Sequence, residues 1–467
     1  APPNLSALAM ESTVFERCYA HAPITLPSHT ALFSSRYPHE TGIVNNGQAV
    51  AADLPLFAPH LAAYGYRTLA AVSLGTLLAP VMGLNTGLDR GFDRFETASS
   101  LDSYAEMTAP LLEALISNED GAEPMFLFAH FADPHEPYRS AGATGLETHV
   151  LLDGVEAMVL DPGRAPYIER TLALEAGTHK LAFESPGVEV QLRHLKLTGP
   201  DGVVLEPRFI DGSLITVLER QELEFDVPVS GPVEVELWLN DYPRLEARYA
   251  RYVEEIHMVD AAIGKLIADL KAAGRWDDSL VVFTSDHGEG LTQHGIIGHV
   301  GGLYEEQLHV PLMIKLPARV GWTPVRDRLA AVRSRVVRHV DLVPTLLELL
   351  GLPPLVGQAG VSLLDPELAS GSSLEALGQT HAPEAPYDLY SLRDERWKLI
   401  YSPDNRRFQM FDLEADPAEE VDVFAEHGDE RVEWQVRMRD MAQLWKRDGN
   451  IETDEERAAL RAALGYH

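Results

Sequence analysis

Apolar residues alternate between helical and strand spacing along much of the chain. Residues 56–64 carry them at helical spacing up to Gly65, and residues 66–74 form a short apolar run suited to a buried strand. Two further helix and strand pairs follow in the same order: 104–117 with 125–131, and 249–273 with 279–284. Helices that alternate with strands apolar on both faces predict a mainly parallel sheet covered by helices.

The spacing changes between residues 141 and 241. Residues 188–197 and 233–239 place apolar side chains at nearly every second position, and Gly199-Pro200-Asp201-Gly202 supplies turn chemistry. This pattern predicts an antiparallel β-sandwich inserted at 141–241. The insertion either overhangs a pocket of the core and restricts entry, or serves as a surface attachment module, and the sequence leaves both open.

Beyond residue 355 the chain becomes rich in loops. Strand patterns at 387–401 and 408–413 precede a charged helix that begins near residue 429. The predicted fold class is therefore α/β, with a mixed, mainly parallel sheet flanked by helices, an inserted antiparallel β-sandwich and a small C-terminal sheet. The predicted domains are a core of 1–140 and 242–355, an insertion at 141–241 and a C-terminal subdomain at 356–467.

The charge balance limits the possible partners. The chain has 71 acidic and 38 basic side chains, a net charge of −33, so we expect no nucleic acid partner. An anionic substrate would have to be attracted by a metal or by local histidine and arginine. No apolar run reaches the ~20 residues of a membrane-spanning helix, so we expect no transmembrane segment in this chain. Cys18, the one cysteine, is expected to be a small buried residue.

Thr25 is the candidate nucleophile. Pro27 suits the first turn of a helix, where its missing N–H is harmless, and this places Thr25 and Leu26 at the helix N-terminus. Free backbone N–H groups and the positive end of the helix dipole face an approaching anion there. A threonine hydroxyl needs activation by a metal or a base, and the alternative is that Thr25 merely caps the helix.

Asp286 and His287 are candidate metal ligands because they follow the strand predicted at 279–284. Functional groups of open parallel sheets gather just beyond the carboxyl ends of the strands. A carboxylate oxygen beside an imidazole nitrogen suits Zn²⁺ or Mn²⁺ better than Ca²⁺ or Mg²⁺. Structural capping by Asp286 is the alternative.

Three histidines lie on loops beside proline or glycine: His135, His294 and His299. A core imidazole needs a hydrogen-bond partner, so histidines in such loops are better placed to contact a ligand than to pack. A structural role stays open for each of them. Asp341 precedes an amphipathic helix and is expected to cap it.

Several short motifs occur in a fixed order along the chain: 25–29 (TLPSH) with 35–42 (SRYPHETG), 87–93 (GLDRGFD), 133–135 (DPH), 286–289 (DHGE), 303–306 (LYEE) with 310–312 (VPL), Asp341 with 344–346 (PTL), and 397–401 (WKLIY) with 411–413 and 416–417. Together they resemble the sulfatase and alkaline phosphatase superfamily. The resemblance covers most of the chain outside the insertion and the last helix.

The resemblance implies a role for each matching position. Thr25 matches the nucleophile, which also contacts a metal, and Asp286 and His287 match metal ligands. His135 and His299 match catalytic residues that hold the anionic group of the substrate, and we expect His294 to join them. His29 replaces the arginine that follows the nucleophile in typical sulfatases, so we assign it a catalytic contact with Thr25 or with the anion.

The resemblance also implies one or two divalent metal ions, with Zn²⁺ or Mn²⁺ favoured and Ca²⁺ as the alternative. Family members carry one or two metal-binding aspartates on a first strand, and no segment matching that strand precedes Ala1 in the sequence. Either the sequence from Ala1 is a fragment of a longer protein, or the protein lacks a full metal site, and in the second case we expect an under-ligated site with weak metal binding. The family alone suggests a periplasmic or extracellular location, and the sequence indicates no oligomeric state.

The residue at position 25 decides between activities. Typical sulfatases oxidise cysteine or serine to formylglycine, whereas oxidation of threonine gives a ketone that cannot complete that cycle. Thr25 is instead similar to the direct threonine nucleophile of nucleotide pyrophosphatase/phosphodiesterase relatives. This resemblance favours hydrolysis of phosphate or phosphonate esters on a small molecule, a glycan or a lipid. The alternatives are a sulfuric ester hydrolase, and a catalytically silent protein that binds a carbohydrate or a protein.

Overall fold

The computed structural model describes residues 2–73, 77, 86–97, 105–117, 123–135, 138, 148–160, 167–205, 208–209, 217–241, 245–318, 321–382, 385 and 387–447. They form two compact units, Ala1–Asp133 with Val259–His467, and Pro134–Met258. The predicted subdomain 356–467 is part of the first unit in this division. Residues 141–147 of the predicted insertion and residues 448–467 at the end of the predicted last helix lie outside the described residues.

The helices are numbered in chain order. They are α1 (Pro3–Glu11), α2 (Thr25–Ser34), α3 (Pro38–Thr41), α4 (Phe57–Ala63), α5 (Ala105–Ser117), α6 (Leu245–Ala272), α7 (Glu305–Leu308), α8 (Thr323–Val332), α9 (Leu342–Leu350), α10 (Pro366–Ala369), α11 (Phe424–His427) and α12 (Val432–Arg447). Within the described ranges, none of them is long and apolar enough to cross a membrane.

The strands follow the same convention. They are β1 (Thr13–Tyr19), β2 (Arg67–Val72), β3 (Arg94–Thr97), β4 (Met125–Ala129), β5 (Thr148–Leu152), β6 (Val155–Leu160), β7 (Tyr167–Leu174), β8 (Gly177–Thr198), β9 (Arg208–Phe209), β10 (Val217–Val227), β11 (Gly231–Asp241), β12 (Val281–Thr284), β13 (Gly290–Leu291), β14 (Ile297–Gly298), β15 (His309–Lys315), β16 (Val336–Arg338), β17 (Ala376–Thr380), β18 (Leu389–Arg393), β19 (Trp397–Ser402) and β20 (Arg407–Asp412).

Two sheets of the first unit contain parallel strands. One has the order β3-β2-β4, and both of its pairings are parallel. The other has the order β12-β15-β1-β16, in which β1 runs parallel to β16 and β15 runs antiparallel to both of its neighbours. With helices between the strands in sequence, this arrangement confirms the predicted mixed α/β fold.

The strands β4 and β12 each form the edge of one of these sheets. Among the described strands, each hydrogen-bonds to one neighbour only. Met125 and Leu127 of β4 and Val281 and Phe283 of β12 pack against one apolar cluster and are only partly buried. Side chains therefore connect the two edges, and the carboxyl ends of β4 and β12 both lead into the segments that carry candidate site residues.

Helix α2 is almost completely buried within the first unit. All of its residues are buried except Leu32, which packs against two apolar clusters. A helix buried on every side must be apolar or hydrogen-bonded all round. The small polar residues Thr30 and Ser34 are hydrogen-bonded, because each hydroxyl donates to the carbonyl oxygen four residues earlier, at 2.8 and 2.6 Å. This packing makes the helix a rigid support for Thr25 at its N-terminus.

The second unit is built from antiparallel strands. β8 pairs with β5 and β10 along its first half and with β11 along its second half, and β11 also pairs with β7. The strands share one apolar core that includes Phe183, Phe225 and Leu237. The antiparallel pattern predicted for this region is present, but β8 joins all of these strands into one hydrogen-bonded sheet.

The small C-terminal sheet predicted from the sequence is present and has the order β17-β18-β19-β20, with antiparallel pairings throughout. Trp434 and Met438 of α12 pack into its core against Tyr390 and Leu399. The sheet also joins the core directly, because the backbone N–H of Gln379 donates to the carbonyl oxygen of His21 at 2.9 Å.

Candidate active site

Thr25 is the first residue of α2 and only 3% of its surface is exposed. The N-cap position belongs to Ile24, and no side chain caps the helix from there. Asn46 supplies the missing partner, since its Oδ1 accepts from the backbone N–H of Leu26 at 2.9 Å. Capping by Thr25, the alternative left open by the sequence, is therefore not what the structure shows, and its hydroxyl lies at the positive end of the helix.

The loop that follows β12 is tied to the first turn of α2. The hydroxyl of Ser28 donates to the carbonyl oxygen of Asp286 at 2.6 Å. His29 Nδ1 donates to the carbonyl oxygen of Thr25 at 2.8 Å and lies 3.6 Å from Asp286 Oδ2. Residues about 260 positions apart thus meet in one cluster, in which His29 contacts both the Thr25 carbonyl oxygen and the Asp286 carboxylate.

His287 presents a nitrogen to the same carboxylate. Its Nδ1 donates to the carbonyl oxygen of Gly288 at 3.0 Å, so Nε2 carries the lone pair of the neutral ring. Nε2 is buried without a hydrogen-bond partner and lies 3.4 Å from Asp286 Oδ2. Two atoms that both offer lone pairs across this distance suit a cation between them.

Burial and neighbouring charges set the protonation of the cluster. Burial raises the pKa of Asp286, but the imidazoles of His287 and His29 and those beyond them outweigh it and hold the pKa far below its ordinary value. Burial lowers the pKa of His29 and His287, although Asp286 opposes that shift. At neutral pH the carboxylate of Asp286 is therefore ionised beside the neutral imidazoles of His29 and His287.

His299 stands on the other side of His287. The two rings are 4.5 Å apart between centroids, and His299 Nδ1 lies 3.6 Å from Oε1 of Glu289. His299 follows β14 directly, and Glu289 precedes β13, so the β13–β14 hairpin brings these two side chains together. The predicted substrate contact His299 is thus next to the predicted metal ligand His287.

Two histidines that the sequence did not assign to the site also lie in the cluster. His130 follows β4, and its ring centroid is 5.1 Å from that of His29. His339 is fully buried, with Nε2 3.3 Å from the hydroxyl of Thr284, and burial lowers its pKa to about 4. The signal for His130 was its place at the end of an apolar strand, the same signal that singled out Asp286.

The structure shows contacts of two further predicted site residues. His135 belongs to the second compact unit, where its backbone N–H donates to Oε2 of Glu255 at 3.1 Å. Both ring nitrogens of His294 are engaged, by Glu306 and by the carbonyl oxygen of Glu419, at 2.8 and 3.0 Å. This leaves no nitrogen of His294 for the substrate contact that the sequence suggested.

The donors for a metal are present in part. Asp286 Oδ2 and His287 Nε2 face each other, but no group of three histidine, cysteine, aspartate or glutamate donors in the described part of the chain has the geometry of a metal site. Asp286 and His287 are therefore the described residues that could contribute to holding an ion.

Asp341 does not serve as the helix cap that the sequence suggested. It occupies the N-cap position of α9, but its side chain makes no capping hydrogen bond there. Both carboxylate oxygens instead accept from the guanidinium of Arg338, at 2.9 and 2.7 Å. Asp341 therefore belongs to a buried ion pair with Arg338.

Two family models match the chain. The family described as Sulfatase matches residues 1–352, and the family described as N-sulphoglucosamine sulphohydrolase, C-terminal, matches residues 300–446. Together the two matches cover both the core sheets and the C-terminal sheet.

Characterised relatives are similar over different lengths. An N-acetylglucosamine-6-O-sulfatase of Bacteroides thetaiotaomicron is 22% identical over 95% of this chain and 80% of its own length. A choline-sulfatase of Rhizobium meliloti is 24% identical over 89% of this chain and 76% of its own length. Arylsulfatase K of Bos taurus is 30% identical, but over 36% of this chain and 31% of its own length, so that similarity is local.

Solved structures share the fold. A protein in complex with its substrate D-glucosamine-2-N,6-O-disulfate superposes with a TM-score of 0.60 at 17% identity, over 96% of this chain and 93% of its own. A phosphonate monoester hydrolase of Agrobacterium radiobacter superposes with a TM-score of 0.59 at 19% identity, over 95% of this chain and 91% of its own.

Proposed function

Because this chain belongs to the sulfatase family, we propose that it hydrolyses sulfate esters with the hydroxyl of Thr25 as nucleophile. The observation that carries the proposal is the burial of Thr25 at the N-terminus of α2, in one cluster with His29, Asp286 and His287. Two relatives that match most of this chain favour a sulfate ester over the phosphate or phosphonate ester predicted from the sequence. Both of these relatives are sulfatases.

The first step transfers the sulfuryl group. The oxygen of Thr25 forms a bond to sulfur while the bond from sulfur to the ester oxygen breaks, and the leaving oxygen takes a proton from a water molecule and departs as the alcohol. The proton of the Thr25 hydroxyl passes to a neutral imidazole of the cluster. In the second step water attacks the sulfur of the sulfo-threonine and the bond from sulfur to the Thr25 oxygen breaks. The protonated imidazole returns its proton to that oxygen, the attacking water loses its protons to solvent, and sulfate leaves.

The residues of the chain prepare this chemistry. The N-terminal N–H groups of α2 and the helix dipole favour a negatively charged group next to Thr25. His29 is orientated by its hydrogen bond to the Thr25 carbonyl oxygen, so its Nε2 is the nitrogen that can accept a proton. We assign His299 to the anionic oxygens of the substrate, as the family resemblance implies.

A divalent ion would be held by Asp286 and His287, with Zn²⁺ or Mn²⁺ favoured by these donors and Ca²⁺ as the alternative. When bound, the ion supplies positive charge that neutralises the substrate oxygens. Family membership also supports the expectation of a periplasmic or extracellular location.

Zn²⁺ or Mn²⁺ is expected to raise the unfolding temperature of the wild-type chain, but not that of Asp286→Asn. A ligand that binds only the folded state stabilises it by ~2.7 kcal/mol at one hundred times its Kd. With two donors in place, we expect this shift only at high metal concentration. Thermal unfolding followed against metal concentration measures it, with Asp327→Asn on the exposed side of α8 as the control. Equal shifts in Asp286→Asn and in the wild type would remove Asp286 from the metal site.

A second candidate reaction is hydrolysis of phosphonate or phosphate monoesters. The specific observation that favours it is threonine at position 25, since a direct hydroxyl nucleophile suits phosphoryl transfer and a secondary alcohol cannot become formylglycine. The phosphonate monoester hydrolase fold matches this chain along most of its length, which is compatible with this candidate.

Matched aryl esters separate the candidates. We expect kcat/KM for 4-nitrophenyl sulfate to exceed that for the 4-nitrophenyl esters of phosphate and phenylphosphonate by at least ~10-fold, a difference of ~1.4 kcal/mol in transition-state binding. Steady-state kinetics with each ester after incubation with Zn²⁺, Mn²⁺ or Ca²⁺ measures the ratio. The reverse order would favour the second candidate. No turnover of any ester, together with binding of a carbohydrate or protein, would favour the silent binding protein.

The sugar specificity is part of the same proposal. The family match over the C-terminal sheet and the N-acetylglucosamine-6-O-sulfatase relative support an ester carried by a sulfated amino sugar. Release of sulfate from N-acetylglucosamine-6-sulfate, followed by ion chromatography, tests it, and choline sulfate is the matched non-sugar ester.

A further inference from the structure

His294 is held on three sides of its ring. Nδ1 is 2.8 Å from Oε1 of Glu306, and Nε2 is 3.0 Å from the carbonyl oxygen of Glu419. The ring stacks on Tyr304 with centroids 3.7 Å apart and planes 2° apart. Because both partners are oxygen acceptors, both ring nitrogens donate, and an imidazole that donates from both nitrogens is positively charged.

These contacts hold a backbone conformation that the chain would not adopt by itself. His294 has a φ of 53° and Thr292 a φ of 97°, both in the left-handed region that L-residues other than glycine, asparagine and aspartate rarely occupy. Such strain persists only where the surroundings fix it. The contacts of His294 with Glu306, Glu419 and Tyr304 are the surroundings that fix the tip of the β13–β14 hairpin.

Helix α7, which contains Glu306, also contacts the turn that carries Asp286 and His287. The backbone N–H of Gly288 donates to the carbonyl oxygen of Gln307 at 2.8 Å. A Cβ atom on Gly288 would lie 2.2 Å from the carbonyl oxygen of Glu306, so only glycine permits this approach. α7 therefore binds the hairpin tip through the side chain of Glu306 and the Asp286–Gly288 turn through its backbone.

The hairpin in turn places His299. Gly290 of β13 pairs with Gly298 of β14, so the next residues outward are Glu289 and His299. His299 leaves the hairpin with its ring against His287. A shift of the hairpin relative to α7 would move His299 away from His287 and from the substrate group that it is proposed to hold.

Glu419, whose carbonyl oxygen accepts from His294, belongs to a network of buried ion pairs. Lys398 is 1% exposed, and its Nζ lies 2.9 Å from Glu419 and 3.1 Å from Glu305. The backbone N–H of Glu305 donates to Oε2 of Glu419 at 2.6 Å. Arg393 adds an ion pair to Glu305 at 3.2 Å. This network ties the start of α7 to the C-terminal sheet, so the contacts of His294 reach a rigid part of the fold.

We propose that His294, in its charged form, is a positioning residue that locks the β13–β14 hairpin to α7 and thereby holds His299 beside His287. The proposal rests on the proposed function where it concerns turnover, but the lock itself is a property of the folded chain. It replaces the substrate contact that the sequence suggested for His294.

The charged form of His294, and with it the contact between the β13–β14 hairpin and α7, depends on pH in a defined direction. Burial lowers the pKa of His294, but the hydrogen bonds to Glu306 and to the Glu419 carbonyl oxygen outweigh it, so the pKa is raised above its ordinary value. The groups that face the ring are Glu306 and Tyr304 at α7, and Glu419 after β20. A raised pKa of the folded state means that the lock is fully present at acidic pH and is lost as pH rises through that pKa.

Hydrogen exchange and kinetics of the full-length chain test the proposal. The variants are His294→Ala, His294→Gln, Glu306→Gln and the control His427→Ala, which removes another histidine paired with a glutamate, at 2.6 Å from Glu430. We expect His294→Ala to lower kcat by ~10- to 100-fold, the range found when a residue that orients a site group is lost, with a smaller change in KM. Amide exchange in residues 290–302, corrected for its intrinsic pH dependence, should become at least ~10-fold faster.

The conservative variants His294→Gln and Glu306→Gln test the proposal even if His294→Ala does not fold. In the wild type, protection of residues 290–302 should fall as pH rises, whereas His294→Gln should restore part of kcat and show protection that no longer varies with pH. Glu306→Gln should weaken the lock even if His294→Ala fails to fold. Unchanged exchange and unchanged kcat in the variants at Glu306 and His294 would overturn the proposal. Faster exchange in a chain that hydrolyses no ester would keep the lock and reject the proposed function.

Discussion

Replacement of Thr25 by alanine is expected to lower kcat/KM for the preferred ester by at least ~10⁴-fold, because loss of a nucleophile removes the covalent route altogether. Thr25 is buried at the end of a helix whose neighbours are all in place, so the loss of one hydroxyl and one methyl group should leave the fold intact. Steady-state kinetics at saturating metal measures the loss, and circular dichroism verifies the fold.

Two further variants separate the effect of losing the Thr25 hydroxyl from the effect of changing helix α2. Thr25→Ser keeps the oxygen and should retain turnover within ~10-fold of the wild type, since one methyl group is worth roughly 1 kcal/mol of packing. Ser34→Ala removes a hydroxyl from the other end of α2, where it donates to Thr30, and should leave kcat/KM unchanged. If Thr25→Ala kept more than a tenth of the wild-type turnover, Thr25 would not be the nucleophile.

Replacement of Asp341 by alanine is expected to lower the free energy of unfolding by about 3–5 kcal/mol, the cost of leaving one partner of a buried ion pair alone. Asp341 is fully buried and accepts from the guanidinium of Arg338 through both carboxylate oxygens, at 2.9 and 2.7 Å. It also accepts from the backbone N–H of Val361 at 2.9 Å. Burial opposes the charge of Arg338, but Asp341 outweighs it and raises the pKa of the guanidinium.

An exposed ion pair provides the matched control. Arg328 and Glu348 are 3.4 Å apart with side chains 45% and 43% exposed, so Glu348→Ala should cost no more than ~1 kcal/mol. Denaturant-induced unfolding of both variants compares the two costs. Equal destabilisation by Asp341→Ala and Glu348→Ala would show that the buried pair contributes no more than a surface pair.

The alternating pattern of helices and strands predicted much of the first unit, because β2, β4 and β12 are apolar on both faces and read clearly in the sequence. β1 was not predicted, since Glu16 and Arg17 interrupt its apolar run, yet it lies between β15 and β16. Its place depends on pairing with residues some 300 positions later, which periodicity does not show. The separation of the parallel strands into two sheets was likewise beyond the sequence pattern.

The candidate site residues could likewise be selected from the sequence only where the signal is local. Thr25, Asp286 and His287 were identified because a helix start and a strand end are local signals. His130 lay within a predicted apolar strand and was assigned to it. His294 looked like a ligand contact because glycine follows it, while the acceptors that engage its ring, Glu306 and Glu419, lie 12 and 125 positions away.

Mass spectrometry of the acid-quenched enzyme tests the central claim, covalent transfer to Thr25. During turnover of 4-nitrophenyl sulfate, the peptide that contains Thr25 should carry a sulfo group, and the same peptide from Thr25→Ala should carry none. A chain that releases product while Thr25 stays unmodified at every quench time, or that carries the sulfo group on another residue, would contradict the account.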